Sequence, residues 1–317
     1  MVELQDKYGR AFKTLRVSLL STCNLGCIYC TMGSEDEIAF DHRPQTTADD
    51  FIKIIAGLHS QLNLKTIRLT GGEPLLYREL ETVIKSIKAI GIDDVRMTSN
   101  AFLLERHALK LKQAGLRSVN VSLDAMDDES FLRMTRRKQL QRTLKGIEAA
   151  IAAGLEVKIN AVIMRGQNDD QILPLLEYAF AHSIPIRFLE VMAMGHLFGH
   201  AEQYLFTQQD ILDTIATRYN FIRLPRKVSS TANYWQTEQG GVFGIIGNES
   251  EPFCSDCNRL RLDAKGNIYG CLSNNHPIAI SGDENGFELT EKLQQAMQQK
   301  QSAHFVGSDL SMLHIGG

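Results

Sequence analysis

No stretch of this sequence approaches eighteen consecutive apolar residues, so none reads as a membrane-spanning helix. The opening MVELQDKYGR lacks an apolar h-region; no export signal is expected there, and a reducing, cytoplasmic compartment is. Net charge is small, −3 at pH 7, which gives no general reason to expect nucleic acid or an anionic membrane as partner. There is no low-complexity tract and no internal repeat shorter than a strand–helix unit. Cysteine is scarce as well. Six in 317 residues are too few for a disulfide scaffold, and clustered thiols in a reducing compartment more often bind metal or do catalysis. The balance of 44% hydrophobic and 22% charged residues is that of a globular chain, long enough for one large α/β domain with an addition or for two domains.

What is present is a regular alternation. Apolar, β-branched runs occur at LRVSLL (15–20), TIRLT (66–70), VRMTS (95–99), SVNVS (118–122), EVKINAVI (156–163) and IRFLEV (186–191). Between them lie segments with helical spacing. DDFIKIIAGLHSQL (49–62) has apolar residues at 51, 54, 55 and 58, while ELETVIKSIKAIG (79–91) and LKGIEAAIAAG (144–154) end on glycines suited to a helix C-terminus. Strands alternating with helices imply parallel βαβ units. Six of them predict an α/β fold, a curved sheet or incomplete (βα)6 TIM-like barrel over residues 1–199, with ligands at the C-terminal strand ends. The alternation stops near residue 195, and residues 200–317 read as an extension that includes a polar helix candidate, LTEKLQQAMQQKQ (289–301).

The cysteines divide into two sets of three. Cys23, Cys27 and Cys30 lie in CNLGCIYC, just after the first predicted strand; Cys254, Cys257 and Cys271 lie in FCSDCNRLRLDAKGNIYGC. Three thiols do not pair off as disulfides, and they fall one short of a closed zinc site or a fully ligated cubane. Two readings stand for each set. One is a [4Fe–4S] cluster with one iron open to a ligand. The other is zinc completed by a histidine, which for the second set would be His276. Arg259 and Arg261 alternate on an extended segment beside the second set, so they share a face suited to an anion, phosphate especially.

CxxxCxxC after the first strand, with LTGGEPLL at 69–76 and VSLDA at 121–125, resembles the radical S-adenosylmethionine superfamily. The resemblance implies a [4Fe–4S] cluster on Cys23, Cys27 and Cys30, with S-adenosylmethionine on the open iron and its reductive cleavage to a 5′-deoxyadenosyl radical. It implies cofactor contacts from Gly71, Gly72 and Glu73 to the amino group and from the Tyr29 backbone near adenine. Ser122 would face the carboxylate, and Met192, in VMAM at 191–194, would touch adenine or the cofactor. Without the resemblance, Ser122 reads as a strand-end cap and Met192 as core.

FCSDCNRLRL, Cys271, IRFLEVM and the final IGG, added to those motifs, resemble more narrowly the GTP 3′,8-cyclase family over nearly the full chain. That family's reaction is the first of molybdenum cofactor biosynthesis, a lyase reaction turning GTP into (8S)-3′,8-cyclo-7,8-dihydro-GTP. The resemblance implies a second [4Fe–4S] cluster on Cys254, Cys257 and Cys271 whose open iron binds guanine. It implies GTP contacts at Arg16, Arg68, Ser99, Lys158, Arg187, Asn258, Arg259 and Arg261. It gives catalytic roles to Arg259, Arg261, Gly316 and Gly317, the two glycines ending a tail that enters the active site and orders an arginine. Implied partners are a low-potential electron donor and the next enzyme, cyclic pyranopterin monophosphate synthase, with room for a homodimer. Read alone, Lys158 is a solvated or salt-bridged lysine and the tail a frayed end.

The chain also departs from the family pattern. It has STCNLGC (21–27) where DRCNFRC is common, and TMGSEDE (31–37) where a proline soon follows the third cysteine. It has Thr66 where many members have lysine, Ser99 for threonine, and VMAMG (191–195) for FMDVG. These positions lie near both ligands. They keep open a paralogue acting on another substrate, such as a peptide; a non-catalytic zinc-binding interaction protein is the third reading.

Overall fold

A computed structural model of the protein describes residues 4–31, 46–301 and 303–316. The TMGSEDE departure beyond Thr31, and Gly317, lie outside the described residues. In chain order the first part comprises β1 (Thr14–Ser18), α1 (Ala48–Leu62), β2 (Thr66–Thr70), α2 (Leu80–Ala89), β3 (Asp94–Ser99), α3 (Leu104–Ala114), β4 (Ser118–Ser122), α4 (Asp128–Thr135), α5 (Leu140–Ala152), β5 (Glu156–Ile163), α6 (Ile172–Ala181) and β6 (Ile186–Glu190). The six strands lie side by side in chain order and pair in parallel, the expected incomplete (βα)6 arrangement.

Strand alternation decides which face is core. Leu15, Val17, Ile67, Leu69, Val95 and Met97 are buried against the helices. Their neighbours Arg16, Arg68 and Arg96 therefore point to the opposite, concave face. A barrel filled by its own side chains would carry branched apolar residues there; this face carries arginines, and so it is a site. The helices cover the other face by their apolar stripes. In α1, Phe51, Ile54, Ile55, Leu58 and Leu62 are buried, and the Thr47 hydroxyl accepts from Asp50 N at 3.2 Å to cap the start.

Beyond residue 200 come α7 (Gln208–Ala216), β7 (Phe221–Arg223), β8 (Asn233–Thr237), β9 (Val242–Ile246), β10 (Arg259–Leu262), β11 (Asn267–Tyr269), β12 (Ile278–Ala279), α8 (Gly286–Gln298) and α9 (Met312–Ile315). The extension adds to both edges of the same sheet. β9 pairs in parallel with β6, and β10 in parallel with β1, giving the order β12-β11-β10-β1-β2-β3-β4-β5-β6-β9-β8-β7. The helix expected at 289–301 starts earlier, at Gly286, because Asn285 and Glu288 form a capping box. Among the described residues no helix is long and apolar enough to cross a membrane.

The turn after β10 is organised by one carboxylate. Asp263 Oδ1 accepts from Lys265 N and Asn267 N, both at 2.8 Å, and Oδ2 accepts from Asn267 Nδ2 at 2.9 Å and the Tyr269 hydroxyl at 3.1 Å. Asp263→Ala leaves these donors without their acceptor and is expected to cost about 2–3 kcal/mol of folding stability. Urea denaturation checks it, and an unshifted midpoint would mean that the β10–β11 hairpin keeps its register without the carboxylate.

Candidate active site

After β1 the chain turns over the carboxyl end of the sheet, and the first three thiols sit on that loop. Its backbone is pinned from several sides. Gly72 N donates to Leu20 O at 2.7 Å and Glu73 N to Thr22 O at 2.9 Å; Gly26 N and Ile28 N donate to Thr135 O at 3.0 Å and Met134 O at 2.9 Å. A Cβ on Gly72 would stand 2.2 Å from Thr22 O, so the loop after β2 meets the cysteine loop only because that position is glycine. Ile28 and Tyr29 pack on a small apolar cluster of Met134, Met164, Val191 and Leu197.

Glu73 is fully buried beside this loop. Its Oε1 accepts from Ser99 Oγ at 2.8 Å and Leu75 N at 3.0 Å, and its Oε2 from Asn100 N at 2.8 Å. Burial pushes the carboxyl up to about 7 against the pull of those three bonds. The Ser99 hydroxyl is thus directed at Glu73. Two neighbours not singled out in the sequence also belong here. Asn100 Nδ2 donates to Asn24 Oδ1 at 2.8 Å and reaches Cys23 Sγ at 3.8 Å. Asp124 accepts from the Tyr29 hydroxyl at 2.7 Å and from Val162 N at 2.8 Å, and burial pushes its carboxyl up to about 6.

None of the six cysteines is in a disulfide. In the first set burial pushes Cys23 up to about 11 and Cys30 up to about 12, and Cys27 well up; anionic neighbours add to each. A polycationic iron cluster would relieve both burial and crowding, so this donor set suits one. Among the described residues no three His, Cys, Asp or Glu converge to hold a single ion. Each thiolate of a cubane binds its own iron. His276, the candidate zinc ligand, is exposed and bonds to Asn274.

The second set sits on the turn that leads into β10, with Cys271 after β11. Burial alone would push Cys257 up, but Lys300 and Arg259 bring it down to about 6, and Lys300 Nζ lies 3.3 Å from its sulfur. Asp256, between Cys254 and Cys257, accepts from both terminal nitrogens of Arg226 at 2.8 Å and from Ser229 N at 2.7 Å. The segment Leu224–Thr231 is thereby tied to the thiol turn while lining the cavity.

Register assembles the cations. Arg261 lies opposite Arg16, Arg16 opposite Arg68, and Arg68 opposite Arg96, one row across four parallel strands. Arg16 is lowered well below the usual range by burial and then by Arg261, Arg68, Arg259 and Arg187. Arg68 and Arg261 fall to about 10, burial first and neighbouring arginines second. Lys158 and Arg187 are lowered too, mainly by burial. Buried Nε of Arg16 and one terminal nitrogen of Arg259 have no hydrogen-bond acceptor among the described residues. The carbonyl of Gly316 accepts from Arg261, so the last described turn of the chain reaches this row.

All of this faces one cavity of about 940 Å³. It is lined by all six cysteines, by Tyr29, Gly71, Gly72, Glu73, Ser99, Ser122 and Met192, and by Arg16, Arg68, Lys158, Arg187, Arg259 and Arg261. Asn258 is not among the lining residues; its carbonyl accepts from Thr14 N at 3.4 Å. Arg96 and Lys300 line the cavity and were not singled out in the sequence. Their lining partners Lys227, Glu73, Asp124 and Glu190 complete a tally of nine cationic against three acidic side chains, an excess that calls for a polyanionic ligand.

A parallel α/β sheet with a three-thiol loop after its first strand defines a radical S-adenosylmethionine enzyme. The superfamily's sequence profile matches residues 17–179, and a profile described as Molybdenum Cofactor Synthesis C matches residues 184–306. The fold is that of Streptococcus suis SuiB bound to S-adenosylmethionine (TM-score 0.66, 14% identity, 91% of this chain and 68% of that one). It is also that of anSMEcpe with bound AdoMet (TM-score 0.63, 14% identity, 89% and 82%). The GTP 3′,8-cyclase of Staphylococcus aureus strain JH9 is 40% identical over 280 residues, 86% of this chain and 82% of the relative. The chain belongs to the GTP 3′,8-cyclase family of the radical S-adenosylmethionine superfamily.

Glu73 carries a pH signature. Its folded pKa of about 7 stands above the ordinary 4.5, so the stability its neutral form contributes is fully present below about pH 4.5 and is lost as pH rises through 7. Glu73→Gln cannot ionise. Between about pH 5 and about pH 8 the wild type should lose on the order of 3 kcal/mol more stability than the variant. Urea denaturation of both proteins reads the difference; parallel profiles would show Glu73 ionising as an ordinary carboxylate.

Proposed function

We propose that the chain converts GTP to (8S)-3′,8-cyclo-7,8-dihydro-GTP, the reaction named for its relatives. The observation that carries the reading is that two three-thiol sets and a row of arginines line one cavity. A volume of about 940 Å³ lies at the upper end of small-molecule sites, ~300–1,000 Å³, so two ligands can be held together.

Cys23, Cys27 and Cys30 would hold one [4Fe–4S] cluster and Cys254, Cys257 and Cys271 a second. When bound, the first cluster with S-adenosylmethionine and an electron from a low-potential donor supplies the radical that takes a hydrogen atom. Gly71, Gly72 and Glu73 offer carbonyl and carboxylate oxygens to the cofactor's amino group; Ser122 and Met192 line the same cavity. The arginine row supplies charge-assisted bonds to the triphosphate, which fix the ribose relative to the first thiol loop. Removal of hydrogen from ribose C3′, C3′–C8 bond formation, and uptake of one electron and one proton at guanine give the cyclised product.

Anaerobic incubation of reconstituted protein with GTP, S-adenosylmethionine and dithionite tests the whole reading; absence of the cyclised nucleotide refutes it. Reconstituted protein should hold about eight irons per chain. Cys257→Ala should drop this to about four, keep 5′-deoxyadenosine formation, and lose the cyclised product. Equal loss of both products in a folded variant would contradict separate roles for the two sets.

The tail supports a second expectation. Gly316 has φ 76°, and a Cβ there would stand 2.2 Å from Thr70 Oγ1. Gly316→Ala should displace the carbonyl that Arg261 binds and lower GTP turnover by about 10²-fold with iron content unchanged. Wild-type turnover in that variant would remove the tail from the site.

A further inference from the structure

Arg96 stands at the far end of the arginine row. β3 buries Val95 and Met97 behind the sheet and presents Arg96 to the cavity, opposite Arg68 on β2. Its guanidinium is held in place from behind. Nε donates to both Asp94 oxygens at 2.9 Å, and one terminal nitrogen lies 2.7 Å from Oδ2. Asp94 is itself fixed by the Thr66 hydroxyl at 2.7 Å. This carboxylate engages the Nε edge of the guanidinium, and the side chain lines the cavity as a planar donor fixed before any ligand arrives. Arg96 is also among the charges that depress Arg68, Lys158 and Arg187, so it belongs to the same electrostatic cluster.

Position along the row gives the role. Arg261 lies beside Cys257 and Cys271 of the second thiol set, the end at which the resemblance to the GTP 3′,8-cyclase family puts guanine. Three strand spacings of about 4.8 Å place Arg96 about 14 Å further along. A nucleotide laid along the row with its base at the thiols meets Arg96 with its last phosphate. Resting on the GTP reading of the site, we propose that Arg96 positions the terminal phosphate and sets the preference for a nucleoside triphosphate over a diphosphate.

The test is equilibrium binding of GTP, GDP and GMP to the anaerobically reconstituted full-length protein, as wild type, Arg96→Ala and Arg96→Gln. The glutamine variant keeps a polar side chain beside Asp94, and iron content and thermal midpoint report folding in each. GTP affinity should fall about 10- to 100-fold in both variants, GDP much less and GMP not at all, so that the GTP-over-GDP ratio collapses. Variants that keep the wild-type ratio, or that weaken all three nucleotides by one factor, would overturn the role of Arg96 alone. Wild-type protein that binds no GTP would overturn the reading of the site, and this proposal with it.

Discussion

Like charges forced to face one another are the constraint to which the rest of this structure answers. Nine cationic side chains share one cavity, and several are buried deeply enough to lose much of their hydration. Some of them are oriented by partners that carry no charge. Arg187 donates from Nε to Asn160 Oδ1 at 2.9 Å, Lys300 reaches the Arg259 carbonyl, and Arg261 reaches that of Gly316, whereas Arg96 is paired with the Asp94 carboxylate. Carbonyls and amides orient a guanidinium without neutralising it. The repulsion that remains opposes folding and favours a polyanion, which is the trade between stability and function expected at a binding site.

The opposite end of the cavity is built on different terms. There the backbone of the Gly71–Glu73 loop is hydrogen-bonded to the cysteine loop, and Glu73 is bonded to the end of β3 through Ser99 and Asn100. Thiol loop, the loop after β2 and the third strand end are one bonded unit. A shift in any of them moves the other two. The pairing of Tyr29 with Asp124 extends the same unit to the end of β4.

Much of this was legible in the sequence, for identifiable reasons. The six parallel strands are runs of five to eight residues with β-branched cores, and α1, α2 and α5 carry clean apolar periodicity ending on Asn63, Gly91 and Gly154. The cysteine spacings and GGEP were visible because each is a run of neighbouring residues in the chain. Beyond residue 200 only the extended segment of Arg259 and Arg261 was legible among the strands; the others, two to five residues long, were not, since three-residue runs such as β7 and β11 have no periodicity to read. Arg96 and Lys300 were missed because their roles come from register and tertiary approach. Nothing within VRMTS distinguishes a cavity arginine from a solvated one until β3 is laid against β2. Ser99 shows the converse: its position was legible, but its hydroxyl is directed to Glu73, a contact between strand ends.

The seam between β1 and β10 joins the two paired strands that lie farthest apart in the chain among the described residues. Thr14–Val17 lies in register with Arg259–Leu262, so the first strand to be synthesised waits for one of the last before its outer edge is paired. Closing so long a loop is entropically slow, and an unpaired parallel edge invites other strands in the meantime. During synthesis, then, the amino-terminal half can form its sheet with the first thiol loop in place, while the second thiol set arrives only with the final third of the chain. Assembly of the site has a built-in order, and a nascent chain halted before residue 259 would expose the edge of β1 to aggregation.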